Sequence, residues 1–365
     1  SLLLLSSVLI FGTFKRGTKG WLNFGFISLQ PVEIAKIMFI LTISSFLDDN
    51  IKYANRLYVL IISILLLSGH IMLIMLQPDF SSTLSYFPVM MVLLFIIGVK
   101  YFSLLCILLL GILTIGIPLL KTFADMYTEH LHSNLLLNNI SFLCHNIKLR
   151  IIVTLIIFIS FIIIWWILYK FKIKISISYP IILGCIVIFS NILAIPVDNS
   201  LKNYQKKRFI VFLNPNIDPK GCGYNIIQSK IAIGAGKFLG KGLRHGTQTQ
   251  LGFLPEQHTD FIFSLIGEEG GWIMAQFTII VYLIFIWRIL IIAKEAKDCY
   301  GSLIALGFAT MFMFYAMINI GMTMGLMPVT GMPLLFISYG GSSMVSSLCA
   351  VGILYSIYSK SHEYY

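Results

Sequence analysis

The stretch Leu57–Leu76, LYVLIISILLLSGHIMLIML, runs for twenty residues without one Asp, Glu, Lys or Arg. At a helical rise of 1.5 Å per residue it covers about 30 Å, the thickness of a bilayer's hydrocarbon core. In lipid every backbone N–H and C=O must be paired internally, and a helix does this within one segment. A membrane strand would alternate in polarity over about ten residues; this run is continuously apolar. It reads as a transmembrane helix. Working outward, comparable runs fall at 1–12 (short), 33–47, 84–98, 102–120, 149–169, 178–196, 270–294, 302–323 and 336–358. The expected fold is therefore an all-α polytopic membrane protein, a helical bundle with about ten spans.

Composition points the same way. Of 365 residues, 58% are hydrophobic and 11% are charged, against about 25% charged in soluble domains. The six cysteines, from Cys106 to Cys349, are far apart with no Cys-x-x-Cys pair, which fits neither a disulfide framework nor a zinc site. A net charge of +11 suits an anionic partner such as lipid or phosphate. No nucleic-acid-binding motif is visible.

Short-loop charge orients the spans. Alternate loops place Lys52, Arg56, Lys100, Lys170, Lys172, Lys174, Arg288, Lys294, Lys297 and Lys360 on one side. The opposite short loops hold only Lys15, Arg16 and Lys19. The first side is read as cytoplasmic, so the long segment 197–260 faces outward, before the last three helices. It carries nine cations, from Lys202 to Arg244, which suit either a bound anion or lipid headgroups.

The most polar part of that segment, GTQTQLGFLPEQHTD (246–260), runs directly into Phe261-Ile262-Phe263. A carboxylate at such a border is placed for general-base chemistry, because partial desolvation favours its protonated form. A helix cap supplied by Thr259 or Asp260 is the plainer alternative. Glu256 and His258 either shape a site or hydrate the loop. Gly234, Gly236, Gly240 and Gly242, beside Lys237 and Lys241, suit a phosphate cradle or close packing. Glu33 and Lys36, three apart after Pro31, share a helix face and can pair; intramembrane charge is a functional signal unless the pair merely neutralises itself. Asp79 is placed to cap the next span.

Five ordered blocks carry a family resemblance: LQPVEIAK (29–36), QPDFSST (77–83), YQKKRFIVFLNPNIDPKGCGYNIIQSKIAIGAG (204–236), GTQTQLGFLPEQHTDFIFSLIGEEGG (246–271) and NIGMTMGLMPVTGMPLLFISYGGSS (319–343). The chain resembles the SEDS family of bacterial cell-wall polymerases, the RodA-like branch more than the FtsW-like one. The resemblance implies a single SEDS-type transmembrane domain over 1–365 in the bacterial cytoplasmic membrane. It implies a glycosyltransferase that joins lipid II disaccharides into strands on the outer face for cell elongation and shape. Asp260 matches the family's essential aspartate. Arg208, Lys230, Glu256, His258, Gln248, Glu33 and Lys36 match polar positions around the substrate cleft. A class B penicillin-binding protein and the elongation machinery are the implied partners. A divalent cation, Mg or Mn, is the implied cofactor, with ligands unknown and no organic cofactor expected.

Val32 stands where the family usually has Ser, and Phe80-Ser81 where it has Leu-Gly. Relative to the family, two N-terminal spans are expected to be missing, and 102–196 is expected to hold two extra ones. A lipid II transporter, a non-catalytic membrane scaffold and an inactive homologue remain as rival readings.

Overall fold

The computed structural model describes residues 1–15, 18–23, 28–130, 141–144, 146–172, 176–214 and 221–362. Arg16, Lys174 and Lys220, counted above among the loop charges, lie outside these residues, as does 131–140 within the segment 121–148. The chain divides into two compact units, Ser1–Val99 with Asn214–Tyr365, and Lys100–Leu213. The division falls inside the stretch 197–260, and the second unit contains 102–196.

In the first unit α1 (Leu2–Phe11) precedes three short antiparallel strands, β1 (Thr13–Lys15), β2 (Thr18–Asn23) and β3 (Ser28–Leu29), ordered β1-β2-β3. This small sheet pairs the backbone groups of one loop within an otherwise all-α polytopic membrane protein. Next come α2 (Pro31–Asp49), α3 (Leu57–Leu76) and α4 (Phe80–Ile96). Pro31 opens α2 in the first turn, where its missing N–H costs nothing. Asp79 caps α4 by accepting the Ser82 N–H at 3.1 Å, so the capping role anticipated for it is met.

The second unit holds α5 (Tyr101–His130), α6 (Ile147–Lys170), α7 (Ser178–Ser200) and α8 (Asn203–Leu213). Helix α7 packs on both α5 and α6. Protein covers almost none of α6, whose Ile151, Ile156, Ile159 and Ile163 are exposed; lipid tails are as apolar as these side chains and cover them instead.

The first unit resumes with α9 (Cys222–Ala235), the short α10 (Thr247–Gln250), α11 (Ile262–Glu295), α12 (Cys299–Met324) and α13 (Gly341–His362). The stretch 197–260 is thus not one loop; among the described residues three helices lie wholly within it. Among the described residues seven helices are long and apolar enough to cross a membrane, and α1 and α4 are shorter apolar helices. With α2, they account for the ten runs in the sequence. The last run begins later than expected, at Gly341 rather than 336, because Phe336 takes a positive φ of 67°, a conformation bulky residues seldom adopt.

Helix α12 is the hub of this unit, packed against α2, α4, α9, α11 and α13. Small residues allow the approach, as is usual between membrane helices: a Cβ on Gly307 would meet Ile40 at 2.7 Å. Helix α11 is broken at Gly271 (φ 66°, ψ −165°). The break frees backbone groups, and Lys237–Gly242 pairs with them. Trp272 and Ile273 N–H donate to the Lys237 and Phe238 carbonyls, and Lys241 and Gly242 N–H donate to those of Glu268 and Glu269. A Cβ on Gly271 would lie 2.2 Å from the Gly240 nitrogen, and one on Gly236 would lie 1.9 Å from the Gly267 oxygen. Gly236 and Gly240 are therefore used for backbone approach.

Candidate functional site

Asp260 sits in a turn immediately before α11, half-buried, with Phe261, Ile262 and Phe263 buried behind it. The N-cap of α11 is Phe261, so neither Thr259 nor Asp260 occupies the capping position. The turn is organised by Glu256, which adopts φ 54°. Its carbonyl accepts the N–H groups of Thr259, Asp260 and Phe261 at 3.1, 3.1 and 3.3 Å. Its carboxylate accepts the Thr259 hydroxyl at 2.9 Å. Glu256 is exposed, and within this structure it shapes the turn.

Three successive carbonyls of the turn are held from the C-terminal part of the chain. Tyr339 N–H donates to His258 O at 2.8 Å. The Ser338 hydroxyl donates to Thr259 O at 2.6 Å. The Asn319 amide donates to Asp260 O at 2.9 Å and to Met332 O at 2.7 Å. The clamp comes from α12 and from the irregular segment 325–340, whose Val329, Thr330, Met332, Leu334 and Leu335 are buried. Irregular backbone at membrane depth survives only where its polar groups are satisfied by protein. Here Ser81 donates to Thr330 O and Tyr282 to Leu335 O. Asn319, Ser338 and Tyr339 lie in the block 319–343 that interrupts the apolar C-terminal region of the sequence, which by itself assigns them no individual role. Their role is to hold backbone, which leaves no local pattern.

Replacing Asn319 with Leu keeps its approximate size and removes both N–H donors. Each buried carbonyl left unpaired costs about 1–3 kcal/mol, so the purified variant should lose about 2–4 kcal/mol of stability. Thermal melting in detergent measures this; an unshifted midpoint would show that the turn does not depend on Asn319.

The other candidates fall in different places. Gln248 is half-buried in α10, and its N–H donates to Glu268 Oε1 at 2.9 Å. His258 has an exposed side chain. Lys230 is exposed on α9, against Gly325 at the end of α12: a Cβ there would come within 2.5 Å of its Nζ. Glu33 and Lys36 are buried and paired at 2.7 Å. The Lys36 ammonium also donates to the Tyr315 hydroxyl and lies 4.6 Å from that ring's centroid, while Ser346 donates to Glu33 Oε2 at 3.4 Å. Tyr315 and Asn319 are four residues apart on α12, so they share one face a single turn apart. One helix thereby joins the intramembrane ion pair to the Asp260 turn. Arg208 belongs to the second unit, where its guanidinium lies 5.6 Å from the Tyr204 ring centroid.

Among the described residues no group of three or more His, Cys, Asp or Glu is arranged to hold a metal ion. No step below passes through a divalent cation.

The profile of the cell cycle protein family FTSW_RODA_SPOVE matches residues 1–133 and 143–363. The peptidoglycan glycosyltransferase RodA of Treponema pallidum is 35% identical over 370 residues, covering 98% of this chain and 81% of that protein. The peptidoglycan glycosyltransferase MrdB of Escherichia coli is 45% identical over 159 residues, 44% of this chain and 43% of its own. A solved structure on the coordination of polymerization and crosslinking by a peptidoglycan synthase complex superposes with a TM-score of 0.64 at 23% identity, over 99% of this chain and 79% of that one. The crystal structure of Thermus thermophilus RodA gives 0.54 at 20% identity, over 100% and 76%. At these identities the two structures support the fold.

Proposed function

We propose that this chain, which belongs to the FTSW_RODA_SPOVE family and is a RodA-like peptidoglycan glycosyltransferase of the bacterial inner membrane, uses Asp260 as its general base. The observation that carries the assignment is the clamp on His258, Thr259 and Asp260, which fixes one carboxylate-bearing turn through three consecutive carbonyls. A catalytic group must be held to a fraction of an ångström to be effective, and anchoring through three consecutive backbone carbonyls does this.

The donor, lipid II, already carries a diphosphate leaving group, so the harder task is activating the acceptor. Asp260 takes the proton from the acceptor's sugar hydroxyl, and that oxygen attacks the donor's anomeric carbon. The bond from that carbon to the phosphate oxygen breaks, and its electron pair leaves with undecaprenyl diphosphate, giving inversion. General-base assistance of this kind contributes about 10²–10⁴-fold. Lys230 and neighbouring lysines of the same unit stabilise the departing anion. The segment carrying Asp260 faces outward, and a class B penicillin-binding protein crosslinks the strands made there.

The direct test is glycan synthesis from lipid II by the purified chain together with its crosslinking partner. No strands under conditions where the partner is active would overturn the reading. Lys230→Ala should raise the KM for lipid II by about tenfold, the loss of one charge-assisted contact worth roughly 1.5 kcal/mol. Initial rates that are unchanged across lipid II concentrations would remove Lys230 from the site.

A transporter would use a broken helix whose freed backbone meets its cargo, and α11 is broken. Its freed groups, however, are paired to Lys237–Gly242, which favours the enzyme.

A further inference from the structure

Glu268 belongs to the block IGEEGG, to which the mechanism above assigns no role. It lies two helical turns beyond Asp260 on the first half of α11, and it is fully buried. A buried carboxylate needs several donors to offset its lost hydration. Here three of them come from one loop. Its Oε1 accepts the Lys241 ammonium at 2.8 Å, the Thr247 hydroxyl at 3.2 Å and the Gln248 N–H at 2.9 Å. Its backbone carbonyl accepts the Lys241 N–H at 3.1 Å. Lys241 closes the set by donating to Thr247 at 2.6 Å. Beyond α10 the chain turns, with Phe253 N–H on Gln248 O at 3.2 Å, and Leu254 is buried just before Glu256 begins the Asp260 turn. One carboxylate thus ties both ends of 241–248 to the helix that follows the catalytic aspartate.

We infer that Glu268 is a positioning residue for glycosyl transfer: it holds the 241–250 loop, and with it Gln248, in register with Asp260, and it does not itself touch the sugar. The inference rests on the glycosyltransferase reading of the Asp260 turn. Misplacing a substrate-contacting group by about 1 Å costs on the order of 10²-fold in rate. Glu268→Ala should therefore lower kcat/KM for lipid II by about that factor. Lys241 is partly exposed, so its ammonium hydrates once the carboxylate is gone and the fold is kept. Glu268→Gln keeps an oxygen that accepts from Gln248 N–H, so it should recover most of the lost rate.

Hydrogen exchange supplies a readout independent of activity. In Glu268→Ala the amides of 241–250 should exchange roughly tenfold faster or more, while those of α12 stay protected. Unchanged exchange at 247–248 would overturn the anchoring. Faster exchange with kcat/KM within twofold of wild type would overturn its part in the reaction, as would a Gln variant no better than Ala. An inactive wild-type chain would instead defeat the glycosyltransferase reading, and the exchange data would still decide whether Glu268 anchors the loop.

Discussion

Asp260→Asn is expected to abolish glycan synthesis by the purified chain, with a loss of at least about 10²–10⁴-fold, and to leave membrane insertion and melting temperature as they are. The substitution is nearly isosteric, and the carbonyls of residues 258–260 that anchor the turn are unchanged by it. The amide cannot accept a proton from the acceptor hydroxyl, so chemistry is lost without the fold. Lipid II polymerisation and a thermal melt on the same preparation provide the check. A folded variant that still makes strands at near wild-type rate would exclude Asp260 as the base. A translocation assay separates the rival: a transporter needs no base and would keep moving lipid II in this variant.

The second large effect concerns the buried pair on α2. Lys36→Met leaves the Glu33 carboxylate without its cation, at side-chain exposures of only 5% and 8% for Lys36 and Glu33. Breaking one side of a buried ion pair costs about 3–5 kcal/mol, so the single variant should be strongly destabilised. Replacing both partners with Met removes the stranded charge and should restore most of the stability, since apolar pairs of similar volume are often neutral or better. Activity should not return with it, because intramembrane charges are kept for function and this pair is bonded to Tyr315, which shares a face of α12 with Asn319, the residue that holds Asp260. A stable, fully active double variant would make the pair purely structural.

Spans were legible because lipid imposes one rule on every residue of a run: apolar for about twenty positions. Local spacing was legible too. Glu33 and Lys36, three apart, do pair, and Asp79 does cap the helix that follows it. The anchors of the catalytic turn were not. Asn319 reaches Asp260 across 59 residues and Ser338 reaches Thr259 across 79, and both act on carbonyls that every residue possesses. Glu268 stood in a recognised block, but its partners Lys241 and Gln248 lie 27 and 20 residues upstream, so nothing in its neighbourhood announced a buried charge. The glycines of 234–242 were ambiguous in sequence, since a phosphate cradle and a backbone crossing require the same missing side chain. Only the position of Gly271 opposite Gly240 separates the two.

The interruption of α11 has a consequence for depth. From Trp272 to Glu295 the helix runs for roughly 24 residues, about 36 Å, which by itself crosses the oily layer. Trp272 is exposed and stacks on Phe238 at 5.3 Å, the sort of aromatic pair that floats at a membrane's waterline. A span that begins at Trp272 would leave the nine residues before the break among the headgroups. A saccharide tethered to a long isoprenoid can be worked on at that level while its anchor stays dissolved in lipid, and no substrate has to be pulled out of the bilayer for a strand to grow.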